Sequence, residues 1–267
     1  MGKTYDELDF TDDFLFCHIL MKNEELCKEL AELITNRKIR RILSIEGQKT
    51  IRPTRDGKGV RFDVYFEDDE NVVYDIEMQT TRKKNLPKRS RYYQGMIDLN
   101  ITSKGKDYNE LKESYIIFIC TFDVFGDDRH IYTFENVCIE NSNVRLGDGV
   151  HKIFLCANSK KDDCSPKLKE FLDYFANKIP SGEFSRKLDD AVEESKKEKK
   201  WRQSYMTLQE KYREKYQEGQ DDGRESTIVL LVSKLLSKHK SVEEVADLLD
   251  LDIDRVKEIE KKMLVTD

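Results

Sequence analysis

Two short runs of strictly alternating apolar and polar residues, 61–67 and 73–79, predict a β-hairpin joined by an acidic turn. Alternation with a period of two residues is typical of a strand that buries one face. The apolar faces carry Phe62, Val64 and Phe66 in the first run and Tyr74, Ile76 and Met78 in the second. The opposite faces are strongly polar. Asp and Glu form strands poorly, so acidic residues in mid-strand call for a reason.

The pairing of the two strands decides which carboxylates meet. If both apolar faces lie on one side of the sheet, the numbers of any two directly paired residues must add up to an even number. A turn centred on Asp69 sets Asp63 opposite Asp75, with Glu77 diagonal to it, whereas a turn centred on Glu70 sets Asp63 directly opposite Glu77. Opposite residues have Cβ atoms about 5 Å apart and diagonal ones about 7–8 Å. Either register places Asp63 and Glu77 within reach of one divalent cation. The alternative is a solvated sheet face.

A basic segment follows the second strand directly. Six Lys and Arg residues lie between positions 82 and 91, and they continue into a predicted helix. A charged run is often only a solvated helix face. Beside a candidate metal site it also suits a phosphate backbone, because each Lys or Arg contact displaces condensed counterions. The candidate DNA-binding residues are Lys83, Lys84, Lys88, Arg89, Arg91 and Gln94.

The rest of the pattern predicts an α/β protein with a helical tail. The predicted elements are two helices within 11–35, strands at 39–45, 131–139 and 151–156, a strand buried on both faces at 114–122, and a helix around 168–175. Residues 1–182 are predicted to form the core domain. Residues 183–267 form a helical C-terminal region with a long charged helix followed by short helices, and its apolar segment 228–236 is expected to mediate self-association.

Composition narrows the class of protein further. The net charge of −6 over 267 residues does not indicate a nucleic-acid binder, although a carboxylate metal site is itself acidic. The six cysteines contain no CxxC pair and the four histidines share no ligand-like spacing. This usage indicates reduced core cysteines of an intracellular protein rather than a disulfide framework or a zinc site. No run approaches 18 apolar residues, so we expect a cytoplasmic protein without a membrane span.

An ordered set of motifs carries a family likeness. The motifs are DFLF at 13–16, Asp63, DIEMQ at 75–79, KRSRYYQ at 88–94, GKDYNEL at 105–111 and YIIFI at 115–119. Over about residues 9–176 the sequence resembles the Rpn family of recombination-promoting nucleases and putative transposases, a branch of the PD-(D/E)XK nuclease superfamily. The resemblance implies a restriction-endonuclease-like α/β core, a mixed central sheet flanked by helices, with an α-helical C-terminal extension.

The resemblance also assigns roles to individual residues. Asp63 and Glu77 match the metal-binding acidic pair, and Asp13 matches an acidic residue from the first helix. Gln79 stands where most of the superfamily has Lys. A neutral amide can position water but supplies no cation. The following helix offers Lys88, Arg89 or Arg91 as a source of the missing charge. Cys17 departs from the Lys often found at its position.

The implied activity is metal-dependent endonucleolytic hydrolysis of DNA, linked to recombination or mobile elements. Asp63, Glu77 and Gln79 are the predicted catalytic residues, and Asp63, Glu77 and Asp13 the predicted metal ligands. Mg²⁺ is the expected cofactor, with Ca²⁺ or Mn²⁺ as alternatives. Two other functions remain open for the same fold: a non-catalytic DNA-binding or assembly module, and a transposase that transfers strands.

Overall fold

A computed structural model describes residues 3–52, 58–102 and 107–266, with side chains as far as residue 263. The chain divides into two compact units, one ending at Arg202 and the other beginning at Gln203. In the described part of the chain, no helix is both long and apolar enough to cross a membrane.

The described residues of the first unit form one mixed sheet of six strands. Their bounds are β1 (Ile42–Ile51), β2 (Val60–Asp68), β3 (Val73–Gln79), β4 (Ser114–Cys120), β5 (Ile131–Phe134) and β6 (Val150–Cys156). The spatial order is β1-β2-β3-β4-β6-β5. The first three strands form an antiparallel meander, β3, β4 and β6 are parallel, and β5 is antiparallel to β6. The predicted mixed α/β sheet is therefore confirmed.

Eight α-helices complete the described structure. They are α1 (Asp13–Lys22), α2 (Glu24–Thr35), α3 (Leu86–Ile101), α4 (Pro166–Asn177), α5 (Glu183–Lys197), α6 (Lys199–Leu236), α7 (Val242–Leu249) and α8 (Ile253–Thr266). Local chemistry sets several helix starts. The Ser165 hydroxyl accepts the Leu168 N–H ahead of Pro166, and the Ser241 hydroxyl accepts the Glu244 N–H. Both are N-caps that satisfy a helix donor otherwise left without a partner.

Helix α3 covers one face of the sheet. Its core side chains Leu86, Tyr93, Met96 and Ile97 pack on apolar residues of β2, β3, β4 and β6. The helices α1 and α2 pack on β1, and α1 also contacts β2 and α5. Strand β4 runs through the middle of the sheet and is almost entirely buried, as its near-continuous apolar sequence predicts.

Three predicted strands have ends that differ by two residues or more from those in the structure, and the one predicted at 114–122 ends at Cys120. The strand predicted at 39–45 begins at Ile42 and continues to Ile51, because it stays paired with β2 as far as Val60. The strand predicted at 131–139 ends at Phe134. Its pairing with β6 stops there, and an isolated bridge between Val137 and Arg145 replaces the ladder. The predicted motif at 105–111 lies partly outside the described residues.

Helix α5 belongs to the first compact unit. Its side chains Phe184, Leu188 and Val192 are buried, and the helix contacts α1 and α4. The second unit has its own small core of Val232, Val245, Ala246, Val256 and Ile259. A helical C-terminal extension is thus present, while the domain boundary after residue 182 remains a prediction.

Candidate active site

The register of the β2–β3 hairpin brings Asp63 to Glu77. Strand pairing runs from Glu67 opposite Val73 to Val64 opposite Ile76, which is the register centred on Glu70. The turn fixes this choice, because the Asp68 carboxylate accepts the N–H groups of Glu70 and Val72 at 2.9 Å each. Asn71 takes the left-handed conformation, φ 61°, which Asn tolerates better than most residues.

The two carboxylates interlock at the point where the regular pairing ends. The Asp63 backbone N–H donates to Glu77 Oε1 at 2.9 Å, and the Met78 N–H donates to Asp63 Oδ2 at 3.1 Å. In a regular ladder such N–H groups donate to backbone carbonyls of the neighbouring strand. Here side-chain oxygens take that place, so both carboxylates are held between the strands in fixed positions.

The first turn of α1 adds a third carboxylate. Asp13, Cys17 and Asp63 offer ligand atoms that all lie within 4.8 Å of one another. Asp13 Oδ2 accepts a charged hydrogen bond from Arg61 Nη2 at 3.0 Å. Asp13 Oδ1 is buried and has no hydrogen-bond partner among the described residues. The structure therefore brings Asp13 close to Asp63, with one Asp13 oxygen left unsatisfied among the described residues, and Glu77 joins them through its hydrogen bond from the Asp63 N–H.

A cation from α3 completes the cluster. The Arg89 guanidinium donates to Glu77 Oε2, to Gln79 Oε1 at 2.9 Å and to the Tyr93 hydroxyl at 2.8 Å. It also lies over the rings of Tyr93 and Phe118, 5.0 and 5.4 Å from their centroids. Arg89 thus places a positive charge beside Gln79, where most of the superfamily has Lys.

Of the other residues predicted for this region, Lys88 and Arg91 lie at the surface and Gln79 is buried. Lys88 and Arg91 are exposed, whereas Arg89 donates to Glu77 and Gln79, so Arg89 is the candidate that lies at the site. Gln79 is 6% exposed and donates through Nε2 to the Thr81 carbonyl at 2.7 Å. Both ends of this amide are therefore engaged, one with Arg89 and the other with the backbone.

Burial dominates the electrostatics of the site. Desolvation raises the pKa values of Asp63 and Glu77, and repulsion from neighbouring carboxylates raises them further, while Arg89 opposes the shift. Asp75 is completely buried, and neither of its oxygens has a hydrogen-bond partner in the described structure. Desolvation and the charge of Glu77 raise the Asp75 pKa well above its ordinary value. Arg89 opposes these shifts without cancelling them, so the three carboxyl groups carry more acidic charge than Arg89 neutralises.

The predicted DNA-binding residues separate into two groups. Lys83, Lys84, Lys88 and Arg91 are exposed. Gln94 is only 8% exposed; its oxygen accepts from Ser114 Oγ and its nitrogen donates to Asp98, both at 2.9 Å. Little of its surface remains for contact with DNA. Helical spacing in the sequence could have indicated that Gln94 is buried, because it places Gln94 on the face of α3 that also buries Ser90 and Ile97.

The fold and the site together define an α/β protein of the PD-(D/E)XK nuclease class: a mixed sheet whose hairpin presents facing Asp and Glu carboxylates. The chain belongs to the family described as PD-(D/E)XK nuclease family transposase, which matches residues 10–230. Neither the curated proteins nor the solved structures include a match to this chain. Family membership supports a nuclease or transposase-related role, and nucleases of this class generally use divalent metals.

Proposed function

We propose that the protein is a metal-dependent endodeoxyribonuclease that serves recombination or mobile-element activity. The observation that carries the proposal is the interlocked pair Asp63 and Glu77, with Asp13 beside it. Strand-borne carboxylates with raised pKa values are costly to fold, so their convergence in one place is better explained by function than by stability.

The donor set fits a hard divalent cation. Asp13, Asp63 and Glu77 supply carboxylate oxygens, and the buried Asp13 Oδ1 lacks another partner among the described residues. Oxygen ligands and retained waters are what Mg²⁺ prefers, and Mn²⁺ or Ca²⁺ accept the same donors. The neighbouring Cys17 thiol is buried, and burial raises its pKa, so it stays protonated and is a poor ligand for Mg²⁺.

Each side chain has a role in hydrolysis that follows from its position. A bound cation would polarise the scissile phosphate and lower the pKa of an attacking water. Asp63, Glu77 and Asp13 hold the cation. Arg89 offers positive charge where negative charge develops on the phosphate. Gln79 holds Arg89 through its oxygen, and its amide nitrogen has one further hydrogen with which to orient water.

The DNA backbone is proposed to lie along the exposed cations Lys83, Lys84, Lys88 and Arg91. They begin four residues after Gln79, at the end of the strand that carries Glu77. Contacts to phosphates provide affinity without reading sequence. The acidic net charge of the whole chain does not oppose this, because the potential at a surface depends on the charges nearby.

A strand-transfer activity is the second candidate, since the family description includes the word transposase. The same carboxylate site serves a reaction in which a DNA 3′-hydroxyl rather than water attacks the phosphate. A gel assay that separates joined DNA products from nicked ones distinguishes the two reactions.

The central test compares wild type with Asp63→Asn in a plasmid-cleavage assay with Mg²⁺ or Mn²⁺. Asn keeps an oxygen to accept the Met78 N–H but removes the charge that holds the cation. We expect the cleavage rate to fall at least about 100-fold, since metal stabilisation of the transition state amounts to several kcal/mol.

The matched control is Glu67→Gln, a carboxylate on the same strand whose partner is Lys112. Its activity should match wild type. Calorimetric titration of Mg²⁺ adds a readout independent of turnover. Cleavage that persists in both EDTA and Asp63→Asn would refute the nuclease proposal, and DNA binding without any cleavage would favour the non-catalytic module.

A further inference from the structure

A second cluster of side chains that could bind a metal lies beside β5, the edge strand of the sheet. His130, Asp163 and Cys164 offer ligand atoms that all lie within 4.8 Å of one another. His130 immediately precedes the edge strand β5, and Asp163 and Cys164 precede the N-cap of α4. Strands β4 and β6 separate β5 from β3, so this cluster is distinct from the Asp63–Glu77 site.

Hydrogen bonds join the segment around His130 to the segment that carries Cys156, Ser159 and Asp163. The His130 N–H donates to Asp163 Oδ1 at 3.1 Å, and Ser159 Oγ donates to the Arg129 carbonyl at 2.6 Å. The Cys156 N–H donates to the His130 carbonyl at 2.9 Å. The His130 backbone and the Asp163 carboxylate are therefore positioned by the protein itself, as a pre-organised binding site requires.

Two buried polar atoms in the cluster lack partners. The His130 ring is fully buried; Nδ1 lies 3.1 Å from Asp163 Oδ1, and Nε2 has no hydrogen-bond partner in the described structure. Asp163 Oδ2 is also buried without a hydrogen bond, and the nearest cationic atom given for it is Arg129 Nη1 at 3.6 Å. Buried polar atoms almost always have partners, and a bound ion is one explanation for those that do not.

We propose that His130, Asp163 and Cys164 bind a divalent transition-metal ion of the Zn²⁺ type. Imidazole nitrogen, carboxylate oxygen and thiolate sulfur are the donors that Zn²⁺ takes in proteins, with water completing the tetrahedron. A thiolate selects against Mg²⁺ and Ca²⁺, so this site and the carboxylate site differ in the ions they take.

Cys164 is the residue that makes the site selective. When the ion binds, the thiol releases its proton to solvent and the thiolate bonds to the metal. The bound ion then cross-links the segment before β5 to the segment before α4, which stabilises the edge of the sheet.

The test uses Co²⁺, whose bond to a thiolate gives a charge-transfer absorption in the near ultraviolet that carboxylate ligation does not. Wild-type protein should develop this band at one equivalent of Co²⁺, and Zn²⁺ should displace it. Cys164→Ser, at a partly exposed position, should lose the band and bind Zn²⁺ at least about 100-fold more weakly, since losing a ligand costs more than losing an outer partner.

Two cysteine variants serve as controls. Cys17→Ala removes the thiol beside the carboxylate site, and Cys138→Ser removes another partly exposed thiol. Both should keep the band. Zn²⁺ should raise the melting temperature of wild type and of both controls, but not that of Cys164→Ser.

Absence of the band in wild type would overturn the proposal, as would a band that survives Cys164→Ser or disappears in Cys17→Ala. None of these readouts involves DNA cleavage, so the proposed nuclease activity and this metal site stand or fall separately.

Discussion

At the scale of single residues, the protein buries acidic groups at positions where a charged carboxylate lowers the stability of the fold. Glu77 and Asp75 are both completely buried, and of the two only Glu77 has Arg89 as a cationic partner. An ionised carboxylate without a partner in an apolar interior costs several kcal/mol, which is why burial raises the Asp75 pKa and favours the neutral form of that group. The Glu77–Arg89 pair is consequently the most sensitive point of the site.

Substitution of Arg89 tests the idea that it replaces the usual Lys. Arg89→Gln should lower the cleavage rate about 100-fold, in line with the loss of one donor to developing charge. It should also destabilise the fold by about 3 kcal/mol, because Glu77 remains buried without its cationic partner. Arg89→Lys should recover part of the rate, and kcat should change more than KM. A loss confined to KM would assign Arg89 to DNA binding instead.

His18 gives the protein a separate sensitivity to acid. Its ring lies against that of Trp201, with centroids 3.5 Å apart, and its Nε2 is buried without a hydrogen-bond partner in the described structure. Burial lowers the His18 pKa to about 4, despite the opposing charge of Glu198. In the unfolded chain the imidazole titrates near its ordinary value of about 6.5.

The His18 contribution to stability is therefore complete above about pH 6.5 and is lost as the pH falls towards 4. The slope is at most about 1.4 kcal/mol per pH unit, the value for one proton. His18→Leu should remove this slope in denaturant titrations followed by fluorescence of Trp201, the chain's single tryptophan.

The effect of His18 is obtained by subtracting the pH dependence of the free energy of unfolding of His18→Leu from that of wild type, because other groups titrate as well. Asp63 and Glu77 have raised pKa values and so act in the opposite direction, stabilising the fold as the pH falls. His239→Asn, at an exposed left-handed position, is the control and should retain the wild-type slope. An unchanged pH slope in His18→Leu would contradict the assignment.

At the scale of elements, helix α3 serves the core, the site and the surface together. Its buried stripe packs on the sheet, Arg89 projects from the edge of that stripe to Glu77, and Lys88 and Arg91 face solvent. These directions follow from helical geometry, since neighbouring positions point about 100° apart. One helix therefore positions both Arg89 at the candidate site and the Lys88 and Arg91 part of the proposed DNA surface.

Removing two exposed cations tests that surface. In the Asp63→Asn background, Lys84→Gln with Lys88→Gln should weaken DNA binding equally for unrelated sequences. The slope of log K against log salt should become shallower by about two, one for each lost phosphate contact. Lys38→Gln with Lys187→Gln, two exposed lysines elsewhere, is the control. A sequence-dependent loss, or an unchanged slope, would argue against backbone binding here.

At the scale of the whole molecule, the second unit is proposed to mediate self-association. Val229, Leu230 and Leu231 on α6 are 37%, 67% and 41% exposed, although they belong to the apolar segment identified from sequence. Deleting everything after residue 184 would be a poor test of self-association. The deletion would also remove Leu188 and Val192 of α5, which are buried in the first unit. A point substitution on α6 leaves that unit intact.

Leu230→Glu should shift the mass measured by light scattering towards that of one 31.5 kDa chain. The exposed apolar side chain contributes to association through the area that it buries, whereas a buried charge without a partner opposes it. Lys211→Glu, an exposed position of α6, is the control for added negative charge. If wild type is already monomeric, or if both variants keep the wild-type mass, the proposed interface is wrong.

The sequence by itself determined those features that depend on neighbouring residues. Strict alternation identified β2 and β3, a continuous apolar run identified β4, and spacing of three and four identified α2. The ordered motifs identified the family. Each of these signals is short-ranged, since strand and helix periods repeat within a few residues and family motifs are read position by position.

Only the tertiary structure decided which long-range partners meet. The Asp68 turn chose the register that faces Asp63 with Glu77, and packing of α3 chose Arg89 over Lys88 and Arg91 as the cation at the site. Packing also turned Gln94 inward. The His130, Asp163 and Cys164 cluster joins two distant loops, so no local spacing could indicate it. Such choices depend on desolvation and on packing between elements, which no window of neighbouring residues contains.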